Sequence, residues 1–90
     1  MKVDFNKPLI DLNDTPLEDF NIGKNLATLL AQNTKGDCIK LTDWARQIYK
    51  GEVIDLDNAD QITLKDFIKT AEISNILKAQ LLECLIKNEK

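Results

Sequence analysis

Along the chain the apolar positions change period once, near residue 20. Before that point Val3 and Phe5, then Ile10 and Leu12, alternate with other residues at period two, the pattern of short strands with one covered face. Both prolines, Pro8 and Pro16, also fall here, and a proline donates nothing to a sheet, so any pairing stays local. Asn13-Asp14-Thr15-Pro16 between Leu12 and Leu17 is a turn signal, because Asn and Asp tolerate left-handed backbone and bond their own main chain. Residues 1–20 therefore predict a small β-hairpin or a pair of edge strands.

From Asn21 onward the period is helical. Ile22, Leu26, Leu29 and Leu30 form one stripe with Asn21 placed to cap it, and Gly36 is expected to break that helix. Leu41, Trp44, Ala45 and Ile48 form a second stripe, ended at Tyr49-Lys50-Gly51, where glycine suits the position just past a helix. Trp44 is expected at the centre of the core. A third stripe is Leu64, Phe67, Ile68 and Ala71; a fourth is Leu77, Leu81, Cys84 and Leu85, with Ser74 as its cap. Between the second and third, Val53-Ile54-Asp55-Leu56 reads as a short extended piece able to pair with the amino-terminal strands. The fold class that follows is mainly α: a compact four-helix domain with a small β element at its start, 1–20 being β and 21–88 helical. Short connections imply neighbouring helices packed antiparallel or at steep angles.

Ninety residues make one domain, since a chain this short buries only ~60–65 % of its unfolded surface and cannot fill two cores. Fifteen acids against twelve bases leave a net charge of −3, which offers no general attraction to nucleic acid or anionic membranes, and no basic cluster compensates locally. Apolar runs fall far short of the ~20 residues that cross a bilayer. The amino terminus brings acids early and lacks a secretory pattern, so a cytoplasmic location is expected.

Asp55-Leu56-Asp57-Asn58-Ala59-Asp60-Gln61-Ile62-Thr63-Leu64-Lys65-Asp66-Phe67 looks at first like a calcium loop. Asp55 and Asp57 match its first and third positions. Ala59 offers no ligand at the fifth, Asp60 replaces the glycine that turns the loop, and Asp66 is shorter than the closing glutamate. The stretch is better suited to starting a helix, where Asp57, Asn58 or Asp60 accept from free backbone N–H groups. A weak calcium-responsive role through Asp55, Asp57, Asp60 and Asp66 remains as the alternative. Glu52, Asp55, Asp57 and Asp60 also make an acidic patch with no base among residues 51–60, suited to a basic partner.

Other chemistry finds little support. Histidine is absent, which removes the commonest general base and zinc ligand; Cys38 and Cys84 lack a C-x-x-C spacing and are expected as reduced, buried apolar side chains. An acyl-carrier role needs an arm-bearing serine early in a helix, whereas the only serine, Ser74, stands near the end in Glu72-Ile73-Ser74-Asn75-Ile76. The three glycines are scattered, so no phosphate loop forms, and no catalytic residue or cofactor is expected. A DNA-binding helix-turn-helix is a further alternative for the third and fourth helices, with Asn75, Lys78 and Gln80 as readers but no arginine among them. Arg46, the sole arginine, is expected on the surface with its stem over the core edge.

Lys7-Pro8-Leu9-Ile10-Asp11-Leu12, Thr34-Lys35-Gly36-Asp37 with Asp43-Trp44-Ala45, Tyr49-Lys50-Gly51-Glu52 and Ile76-Leu77-Lys78-Ala79-Gln80-Leu81-Leu82-Glu83 together resemble small uncharacterised proteins of bacteriophages and prophages. The resemblance covers nearly the whole chain and carries no catalytic motif. It implies an interaction role in virion structure or assembly, and a virion-associated location if the chain is phage-encoded. The expectation is thus a non-enzymatic protein-interaction module with a protein partner, acting through helix faces and the acidic Glu52, Asp55, Asp57 and Asp60 patch.

Overall fold

The computed structural model describes residues 1–87, so the last position of the expected helical region, 88, lies outside the described residues. The order of elements is β1 (Lys2–Val3), β2 (Pro8–Ile10), β3 (Pro16–Asn21), α1 (Ile22–Gln32), α2 (Cys38–Tyr49), β4 (Ile54–Asp55), α3 (Asn58–Thr70) and α4 (Asn75–Lys87). Mainly α, with four helices and two small antiparallel sheets, is thus the observed class among the described residues.

The expected hairpin is β2 with β3, Leu9 opposite Leu17 and Ile10 opposite Pro16. Asp11 builds its turn: one carboxylate oxygen accepts from the N–H groups of Asn13 at 2.8 Å and Thr15 at 3.0 Å, while Asp14 takes the left-handed region at φ 62°. The extended piece before α3 also pairs as expected, β4 lying against β1 with Val3 opposite Ile54. The face assignment in the hairpin needs correcting. Leu9, not Ile10 or Leu12, enters the core; Ile10 is half-buried and Leu12 is 92 % exposed. The strand ends at Ile10, so Leu12 belongs to the turn and has no sheet face to cover.

Each helix begins where a polar side chain meets its free N–H groups. Asn21 accepts from Lys24, Asp37 from Ile39 and Lys40, and Ser74 from Leu77, so the expected caps at Asn21 and Ser74 are present. At α3, Asp57 accepts from the Asp60 N–H at 2.7 Å while Asp60 accepts from the Asp57 N–H at 3.4 Å, a reciprocal capping box. The stretch that resembled a calcium loop is a helix start. Helix α1 stops at Gln32, four residues before Gly36, because Asn33 turns to extended backbone at ψ 137°. Past α2, Gly51 takes a positive φ of 81°, the left-handed position that ends the helix.

The stripes meet in one core reaching from Val3 to Leu85. Helix α1 packs on α2 and α4, and α4 on α3, while Ile54 and Leu56 at the β4 segment are fully buried members of the same core as Leu26, Leu64 and Leu81. Two positions differ from expectation: Ala71, expected in the third stripe, is the extended residue at ψ 143° that follows α3 and lies outside the helix, and Cys38 is not buried. Trp44 belongs to the core with 6 % exposure, and the Lys40 ammonium lies 5.6 Å from its ring centre. Cys38 is exposed at the first position of α2, one residue past the cap, where the end of the helix extends beyond the core; only Cys84 is buried, and no disulfide joins them.

Candidate functional site

Between the hairpin and α4 the surface opens into a cleft of about 790 Å³. One wall is β2 and its turn and the other is the face of α4 that carries Ile76, Ala79, Gln80 and Glu83 at helical spacing i, i+3, i+4, i+7. Apolar side chains, Ile10, Ile22, Ile76 and Cys84 among them, line it. Leu12 stands exposed at its lip with Asp11 and Asp14, and Lys7 is the one basic residue along it.

Gln80 holds the two walls together. Its side-chain Oε1 accepts from the Ile10 N–H at 2.9 Å, and its Nε2 donates to the Ile10 carbonyl at 2.7 Å. The amide thus behaves like one residue of a third strand beside β2 and satisfies main-chain groups that the hairpin alone leaves unpaired. Across the chain this contact joins residues seventy apart, and neither the periodicity nor the composition signals it. Its only trace in the sequence is a polar residue on a helix whose moment is weak because apolar residues surround it.

The acidic residues singled out from the sequence are dispersed in their roles. Asp55 lies 3.3 Å from the amino group of Met1, Asp57 is occupied as the α3 cap, and Asp60 is buried beside the Lys40 ammonium, which reaches it from α2. Asp66 is exposed six residues farther along α3, a rise of about 9 Å from Asp60. Glu52 is exposed just past α2. Among the described residues no three His, Cys, Asp or Glu side chains come together in a group that could hold a metal ion. The patch that lacked a base within its own segment therefore receives positive charge from elsewhere in the fold, at Lys40 and at the amino group of Met1.

The Lys40–Asp60 pair perturbs both partners. The hydrogen bond from the Lys40 ammonium holds the Asp60 carboxyl below its ordinary range, against the opposing effect of its burial, with the Asp57 N–H helping. The same hydrogen bond raises the Lys40 pKa, and the charges of Asp60, Asp57 and Asp37 add to it. Because Lys40 is bound to Asp60 and lies over Trp44, the pair clasps α2 to the start of α3, a structural role.

Of the three side chains named as readers for a helix-turn-helix, Asn75 is exposed at the start of α4 and the other two are engaged within the fold. Gln80 is committed to Ile10, and Lys78 donates from Nζ to the Lys69 carbonyl at 3.1 Å, closing the last turn of α3. Ser74 likewise is used as a helix cap. Among the described residues no helix is long and apolar enough to cross a membrane. The chain matches no known family model, no curated protein and no solved structure.

Proposed function

We propose that this chain is a non-enzymatic protein-interaction module that docks its partner in the cleft between the hairpin and α4. The observation that carries the reading is Leu12, a large apolar side chain 92 % exposed at the lip of a cleft whose lining is largely apolar. Single exposed leucines are common, but one that continues an apolar concavity extends a surface that water covers poorly. The acidic Glu52, Asp55, Asp57 and Asp60 patch is a weaker candidate, because Lys40 and the Met1 amino group already meet two of its four carboxylates. The partner is a protein rather than a nucleic acid or a membrane: the net charge is −3, and the lysine nearest a reading position is bonded within the fold. The resemblance to small bacteriophage and prophage proteins supports assembly of a virion structure as the setting.

Site-directed photo-crosslinking tests the docking face. A photoreactive residue at position 12 is expected to give discrete protein adducts in the cell of origin, whereas the same residue at the exposed position 62 on α3 gives none of them. Identical adducts from both positions, or none from position 12, would remove the cleft as the docking face.

A further inference from the structure

We infer that the segment this cleft takes is a basic amphipathic helix of the partner, an inference that rests on the docking face proposed above. Three observations support it together. First, Ile76, Ala79, Gln80 and Glu83 present one ridge of α4 along the cleft, spanning about 10 Å or two helical turns, and the small exposed Ala79 at its middle admits a second helix closely.

Second, a strand is disfavoured as the occupant. Adding a strand to β2 requires free N–H and C=O groups on its open edge, and at Ile10 both are already bonded to the Gln80 amide. What the cleft leaves to an occupant is side-chain contact, which an amphipathic helix makes with its apolar face.

Third, the charge around the apolar lining is one-sided. Asp11 and Asp14 line the cleft with a single base, Lys7, and between Pro8 and Gly23 the hairpin carries four acids and no base. Among the described residues no hydrogen bond or ion pair reaches the Asp14 carboxylate, which stands exposed at the tip of the turn. Lysines or arginines flanking the apolar face of the entering helix complement this rim. A second copy of the chain would bring the same acidic rim against itself, and a polyanion or an anionic bilayer would be repelled.

The probe that tests the chemistry is a synthetic peptide of leucine and lysine at helical spacing, titrated into the labelled full-length chain and followed by amide chemical shifts. Two control peptides are needed, one with the same composition at strand spacing and one with glutamate in place of lysine. Shifts are expected at residues 10–14 and 76–84, with the helical basic peptide bound at least about tenfold more tightly than either control. Ala79→Trp is expected to weaken it about tenfold by filling the groove, and Asp14→Lys several-fold by reversing the rim charge. Asp14 is exposed in a turn, so its variant remains informative if Ala79→Trp disturbs the fold. Equal binding of either control, shifts centred on residues 52–60, or an unmoved spectrum would overturn the inference. Position-12 adducts found alongside such a failure would sink the basic-helix chemistry and leave the docking face standing; absence of those adducts would sink both.

Discussion

A β-carbon placed on Gly23 would lie 2.7 Å from the Phe5 carbonyl oxygen and 3.1 Å from Asn21 Oδ1, so the first turn of α1 approaches the amino-terminal segment as closely as only glycine permits. Helix propensity alone says that Gly→Ala stabilises by up to about 1 kcal/mol. Here the neighbour is main chain and cannot rotate away, and Gly23→Ala is expected to destabilise by about 1–3 kcal/mol, read from the urea midpoint at unchanged slope. The opposite sign at this one position would refute the close approach. At the start of α3, Asp57→Ala removes a cap and is expected to cost about 1 kcal/mol, a fall in Tm of several degrees. Asp60 gives a pH signature of its own. Its folded pKa is lowered, so its contribution is present above the ordinary aspartate value of about 4 and is lost as pH falls through the depressed folded value. Lys40 has a raised pKa, so its contribution is present below about pH 10.4 and disappears as pH rises through the raised value. Asp60→Asn is therefore expected to flatten both the acid and the alkaline limbs of unfolding midpoint against pH; unchanged limbs would mean that the pair does not persist in solution. That Asp60 would be buried was not legible in the sequence, because its partner lies twenty positions away on another helix.

Among the elements, α2 and α4 follow their patterns closely. Every residue of the expected stripes, Leu41, Trp44, Ala45 and Ile48 in one and Leu77, Leu81, Cys84 and Leu85 in the other, is buried, since a helix on a single core needs one apolar face and its period is set by the backbone. The hairpin was legible as an element and not as a surface. A strand only three residues long, with an irregular register between Pro8 and Leu9, carries too little alternation to show which side meets the core. The side chain of Gln80 bonds the hairpin's main chain to α4. Gln80→Ala is expected to leave the Ile10 N–H and C=O without their partner at a half-buried site, costing about 1–3 kcal/mol. Hydrogen exchange locates the effect: the Ile10 amide should lose protection by more than amides at the centre of α2. Equal loss throughout would show general unfolding instead of detachment of the hairpin.

At the scale of the whole molecule, one core serves all four helices and both small sheets, and the cleft is the concavity left where the hairpin meets α4. Leu12 lies outside that core, so the uncharged change Leu12→Ser is expected to change stability by no more than about 0.5 kcal/mol while weakening the basic helical peptide. A large loss of stability on this change would show that Leu12 supports the fold and is not a docking residue. The sequence by itself determined the stripes of α2 and α4, the caps at Asn21 and Ser74, a start of α3 among Asp57, Asn58 and Asp60, the turn of the hairpin and the extended piece before α3, because each depends on residues within a few positions of one another. Only the tertiary structure decided which hairpin residues face inward, that Lys40 would neutralise Asp60, that Cys38 would be exposed, and that Gln80 would complete the edge of β2. These depend on pairs brought together across the chain, whose meeting is set by how the apolar faces pack as a whole and leaves no periodic trace along the residues themselves.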